Sequence, residues 1–348
     1  MAPRPFALAI TEVGRSLHGM DPQRRAQLLA VKLATLAGVP VEAAGDGGGF
    51  GGGSALVRDG VAWVLLDRPQ EFGLGAALAW MVRSGAVQLT VLADEHTGML
   101  ARRAEGFSIP IEVRHVDGRD SVPAVAEPLP VAPAVPPAHL AFEADIRAAG
   151  ADPIIEHGVL LGEVAGLEVC RVVDDPHTGA VRLEVGTGAH DREMFQMLHG
   201  DRPTTESLAD VVRTVAGHRS PGAPRHPLNL LAQERLMRAR LIESPAMIHA
   251  TSIVPAAPPV PRPNLKDPTP CVAIAQLGER PVAVVCSVGV NLEVVPFAVD
   301  TCIALGLDDC HVTECLVVVP TRDVVEVQQR IAGLASRRIS VVGIDAVA

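Results

Sequence analysis

Gly51-Gly52-Gly53-Ser54-Ala55-Leu56-Val57-Arg58-Asp59-Gly60-Val61-Ala62-Trp63-Val64-Leu65-Leu66-Asp67 is the stretch whose reading decides the fold. Two short apolar runs, 54–57 and 61–66, flank Arg58-Asp59-Gly60. An Asp-Gly pair tolerates the positive φ of a tight turn, so the runs predict two antiparallel strands of a hairpin. Upstream, residues 21–39 carry Leu28, Leu29, Val31, Leu33 and Leu36 among Arg and Gln, and Asp21-Pro22 suits a capped helix start. Downstream, the patterning predicts a helix over 74–84, a strand over 88–93, a helix over 97–106 and a strand over 109–116. The order αββαβαβ is that of an α/β domain.

The C-terminal end repeats this order. It reads as strand 271–276, turn 277–280, strand 282–286, helix 292–305, strand 314–319, helix 324–334 and strand 339–343, which predicts an internal duplication. Proline at 123, 128, 130, 133, 136 and 137 marks residues 121–138 as an extended linker. Domains are therefore expected at 1–120 and 139–348. Ala37-Gly38-Val39-Pro40 after the first helix resembles Ala149-Gly150-Ala151-Asp152-Pro153, so the second copy is expected to begin near His139. It would carry a largely helical insertion at about 158–270, containing one hairpin, 167–173 with 181–185.

Composition narrows the function classes. Apolar residues make up 48% of the 348-residue chain and charged residues 20%, a globular profile long enough for two cores. A net charge of −10 argues against non-specific attraction to nucleic acid or to an anionic membrane, leaving room for a local basic face. The one N-terminal apolar run, Phe6-Ala7-Leu8-Ala9-Ile10, is too short for a signal peptide or a span, so a cytoplasmic protein is expected. The six cysteines are expected to be reduced packing residues. Cys302, Cys310, His311 and Cys315 do not match paired zinc spacings. The glycine-rich run 45–53 lacks the Lys-Ser/Thr ending of a phosphate loop.

The helix, strand hairpin, helix, strand, helix, strand order, with Gly51-Gly52-Gly53-Ser54 leading into the hairpin, resembles the restriction-endonuclease-like or PD-(D/E)xK superfamily. The resemblance covers most of 20–118 and 270–345 and implies two tandem α/β/α cores with mixed sheets. In that family an aspartate on the first hairpin strand and an acid-x-lysine on the second hold a divalent metal and activate water. Here Ser54 or Ala55 takes the first position, and Val64-Leu65-Leu66-Asp67 supplies neither Glu nor Lys. Val284-Val285-Cys286-Ser287 is equally empty in the second copy. Both copies thus read as degenerate, and a pseudo-nuclease acting as a binding or regulatory protein is the expectation. The alternative is a nucleic-acid-binding protein or a nuclease with a non-standard site in 163–201, and Mg²⁺ or Mn²⁺ is implied only on that alternative.

Four residues could build such a site. Glu168 and Glu184 lie on the two arms of the predicted hairpin and would form a carboxylate couple if the register paired them. His190 and Asp191 follow the glycine turn Gly186-Thr187-Gly188, where acid/base or metal chemistry is conceivable. The competing reading makes Asp191 a helix cap and the glutamates solvated. Residues 211–240 are locally basic, and Arg213, Arg219, Arg235 and Arg238 are the candidates for phosphate contact. Aromatics for base stacking are scarce there, and a solvated helix surface is the competing reading. A protein partner remains equally open.

Overall fold

The computed structural model describes residues 21–40, 50–67, 72–175, 178–188, 192, 204–224, 226–261, 269–307 and 314–345. The chain forms two compact units, 1–128 and 129–348, dividing inside the proline-rich stretch. It is a mixed α/β protein with three sheets. Among the described residues no helix is long and apolar enough to cross a membrane.

In the first unit, α1 (Pro22–Ala37) starts where Asp21 accepts the Arg24 amide and Pro22 needs no partner for its nitrogen. It ends at Gly38, whose φ of 64° closes the helix. Its Leu33, Ala34 and Ala37 pack on Leu56, Leu65, Leu92 and Val116. The sheet beneath runs β1 (Gly53–Arg58), β2 (Val61–Leu66), β3 (Gln88–Ala93), β4 (Ile111–Asp117), β5 (Asp120–Pro123), in that spatial order. The Asp59-Gly60 hairpin pairs β1 with β2 antiparallel. Helices α2 (Leu74–Ser84) and α3 (Thr97–Ala104) return the chain so that β2, β3 and β4 run parallel. β5 falls where the linker was expected to begin, and its Pro123 is tolerated because β5 is an edge.

The second unit opens with two short helices, α4 (Pro137–Leu140) and α5 (Glu143–Ala148), in front of an antiparallel meander. Its strands are β6 (Asp152–Glu156), β7 (Val159–Val164), β8 (Leu167–Asp174) and β9 (Val181–Val185), in that order. One face buries Leu160, Val164, Leu167, Val172 and Val185 against Ile146 and against Leu208, Val212 and Val215 of α6 (Thr204–Arg219). α7 (Gln233–Glu243) then leads into β10 (Ser252–Ala256), β11 (Cys271–Leu277), β12 (Arg280–Cys286), α8 (Val294–Leu307), β13 (Glu314–Pro320), α9 (Glu326–Ala332) and β14 (Arg338–Ile344). These five strands form one sheet in chain order.

β11 to β14 pair antiparallel, parallel, parallel, as β1 to β4 do. The helix that stands to β11 and β12 as α1 stands to β1 and β2 is α7, not the segment near His139, which supplies only α4 and α5. Among the described residues of 158–270, the strands β7 to β10 stand beside the helices α6 and α7. The expected hairpin, 167–173 with 181–185, is β8 with β9, whereas β7 and β10 escaped sequence reading because β7 carries Gly162 and Glu163 inside its run and β10 carries Pro255 on an edge.

Candidate functional site

The face of the meander opposite its apolar core is ionic. Glu163 pairs with Glu168 and Gly162 with Cys170, so Val169 is an extra residue in β8, a β-bulge. The bulge resets the strand's phase and puts Glu168 on the same side as Arg171, three residues on. Arg171 in turn lies opposite Glu184 on β9. Glu168, only 1% exposed, accepts both Arg171 Nε at 2.7 Å and Nη2 at 3.0 Å, and Arg192 Nη1 at 3.0 Å. Glu184 accepts Arg182 Nη2 at 2.8 Å and lies 3.4 Å from Arg192 Nε. Arg182 also reaches Asp175 at 3.5 Å. Among the described residues, three carboxylates meet three guanidiniums.

The glycine turn serves this network. Gly186 has φ of 141°, and a Cβ there would sit 2.8 Å from the Arg192 backbone nitrogen. Only glycine lets Arg192 fold back between the two glutamates. Burial and the repulsion of Arg171 outweigh Glu168 and Glu184 and set Arg192 below its ordinary value. Burial pulls Arg171 the same way, but Glu168 and Glu184 win and raise it.

α7 covers the rest of the ionic face. Arg235 donates to both oxygens of Glu156 and, at 2.5 Å, to Glu163. Arg238 donates to Glu156 at 3.1 Å, to Glu163 at 2.8 Å and to the Val272 carbonyl at 3.2 Å. Burial alone would raise Glu163, yet Arg238 and Arg235 hold its carboxyl below the ordinary range. Burial would likewise lower both guanidiniums, and Glu163 and Glu156 raise them instead. Arg219 is just as closed: it donates to the carbonyls of Ala165, Leu228, Leu231 and Ala232. Burial brings it down to about 10.

The structure places most of the candidates. Glu168 and Glu184 share a face and are bridged by Arg192 instead of paired with each other. His190 and Asp191 lie outside the described residues. Of the four arginines, Arg219, Arg235 and Arg238 are only 3%, 3% and 1% exposed and face inward, away from any phosphate in solvent. Arg213 is exposed, beside Asp210 at 3.1 Å. His218 and His226 stack with ring centres 3.7 Å apart. Arg235 and Arg238 therefore form an internal clamp, not a surface. Its partners Glu156 and Glu163 went unseen in sequence; the signal was two acids on strands of the meander matched by two arginines one helical turn apart.

At the nuclease-like positions, Ser54 is only 4% exposed, and Asp67, just past β2, is held by Arg25 of α1 at 2.5 Å. Asp59 sits in the turn beside Arg58. In the second unit Cys286 opposes Cys271 across β11 and β12, both reduced and buried. Among the described residues no group of three or more His, Cys, Asp and Glu side chains is placed to hold a metal ion. No family model, no curated protein and no solved structure matches the chain.

Proposed function

We propose that the chain is a tandem nuclease-like scaffold that works by binding, as a regulatory or interaction protein, and not by bond breaking. The observation that carries this reading is the neutralisation of Glu168 and Glu184 by Arg171, Arg182 and Arg192. A general base or metal ligand needs a lone pair facing substrate, and these carboxylates spend theirs on guanidiniums. The repeated strand order of the first and last sheets supports the resemblance to the PD-(D/E)xK superfamily, and the absence of its acids from both supports a scaffold role.

The test is incubation of the full chain with labelled single-stranded, duplex and branched DNA and with RNA, in Mg²⁺ or Mn²⁺ across a salt series. No metal-dependent cleavage is expected. Cleavage abolished by His190→Ala or Glu184→Ala would overturn the reading and restore the nuclease alternative. Binding that weakens with salt and survives without cleavage would make nucleic acid the partner.

A further inference from the structure

Cys271 and Cys286 stand directly opposite each other at the open end of the β11–β12 hairpin, on the face that packs against Met237 and Leu241 of α7. Directly opposed residues of an antiparallel pair project to the same side, with Cα atoms about 4.5–5.5 Å apart, inside the roughly 4.4–6.8 Å that a disulfide spans. The two thiols are in hydrogen-bond contact, and at most 1% of either residue is exposed. Counted from the pairs that close the two hairpins, Arg58 with Val61 and Leu277 with Arg280, Cys286 falls where Asp67 stands in the first unit and Cys271 where Gly52 stands. There a helix arginine, Arg25, holds the carboxylate. Here Arg238 of α7 donates to the carbonyl of Val272, the residue after Cys271, and its charge acts on both sulfurs. Burial would raise the Cys271 thiol, but the Cys286 hydrogen bond, Arg238 and Arg235 hold it below its ordinary value. The same hydrogen bond and burial push Cys286 up.

We propose that Cys271 and Cys286 form a peroxide-responsive dithiol that closes to a disulfide across the hairpin. The route inward is a hollow of about 130 Å³ whose lining includes Met237, Met247, Val288 and Ile344, side chains of the same apolar core as the two cysteines. Hydrogen peroxide is little larger than water and fits such a space, whereas bulkier oxidants do not reach sulfurs this deeply covered. The Cys271 thiolate attacks one peroxide oxygen, the O–O bond breaks, and a sulfenic acid and water result. The Cys286 sulfur then attacks the Cys271 sulfur, and its proton leaves with the hydroxyl as a second water. Two thiols and one peroxide give one disulfide and two waters, the thiols losing the two electrons that the peroxide gains. Because the two strands are already paired, the bond fixes the hairpin and makes the second unit harder to unfold when peroxide is present. Cys302 and Cys315 also touch, but they lie on α8 and β13, where no antiparallel register opposes them. The dithiol is independent of the binding reading above, and the failure of either leaves the other standing.

The experiment exposes the reduced full chain to hydrogen peroxide under native conditions, blocks the remaining thiols with iodoacetamide in urea, and digests the chain after glutamate. Cleavage at Glu243, Glu279 and Glu293 puts Cys271 and Cys286 on separate peptides, 244–279 and 280–293. These two peptides should appear joined, about 2 Da below the sum of their reduced masses, and should separate in dithiothreitol. The crosslinked second unit should melt about 5 °C or more higher by calorimetry. Cys286→Ser should leave a Cys271 sulfenic acid that dimedone traps, and Cys271→Ser should give no crosslink. No joined peptide at millimolar peroxide, closure of Cys302 with Cys315 in its place, crosslinking no faster in the folded chain than in urea, or an unchanged melting temperature would each overturn the proposal. Should a serine variant fail to fold, the wild-type peptide map decides alone.

Discussion

Replacing Glu163 by Gln tests whether the clamp between α7 and the meander is a buried charge network. Glu156, Glu163, Arg235 and Arg238 balance two charges against two, with every side chain at most 7% exposed. Glu163→Gln keeps the shape but leaves two guanidiniums facing one carboxylate, and the new amide nitrogen points a donor at a donor. Removing one partner of a buried ion pair costs about 3–5 kcal/mol, because the remaining charge has no water to turn to. A domain of roughly 150–250 residues moves about 2–4 °C per kcal/mol, so the unit should melt about 6–20 °C lower. Both tryptophans, Trp63 and Trp80, belong to the first unit, so fluorescence follows that unit and calorimetry follows both. The fluorescence transition should stay in place while the other falls. Glu143→Gln, which breaks only the surface pair with Arg147, is the control and should cost about 0.5 kcal/mol or less. The acid limb adds a second reading. Glu163 is held below its ordinary 4.5, so its stabilisation is present above that value and is lost as pH falls through the lowered one. Wild-type stability should therefore fall more steeply in acid than that of Glu163→Gln. A melting shift no larger than the control's would refute the desolvation argument.

Gly166 sits in the β7–β8 turn at φ 77°, where a Cβ would lie 2.2 Å from the Arg235 carbonyl carbon. Gly166→Ala should push α7 off the ionic face and cost at least about 2 kcal/mol in urea unfolding followed by circular dichroism, whereas an unchanged midpoint would mean α7 is not seated there. Arg219→Met strips donors from four carbonyls and should cost about 3 kcal/mol, while Arg213→Ala, at an exposed pair, should stay within about 0.5 kcal/mol. Equal losses in the same assay would put Arg219 on the surface. Burial pushes the Cys170 thiol up to about 12, and Cys271, Cys286, Cys302 and Cys315 are also buried. Iodoacetamide at pH 8 should leave these five unlabelled in the native chain and modify them in urea; native labelling by intact mass would contradict the packing.

What was legible in the sequence is what local patterning carries. The Asp59-Gly60 hairpin, the alternation of helix and strand in 74–117, and the repeated order after Cys271 depend on turn chemistry and on runs of one kind of side chain. The ionic layer depends on none of these. Gln233–Glu243 mixes three arginines with two glutamates, which reads as a solvated helix, because the acids that bury Arg235 and Arg238 lie on strands far upstream, at Glu156 and Glu163. The same limit governs Glu168 and Glu184. Without the extra residue at Val169, Glu168 and Arg171 would project from opposite faces of β8, and one of them would enter the core around Ile146 and Leu208. A sheet with one apolar and one ionic face can be assembled only if each acid arrives with its guanidinium, so the bulge, Gly166 and Gly186 are where the chain settles its charges. That pairing is also why the carboxylates that a catalytic reading needs are already occupied.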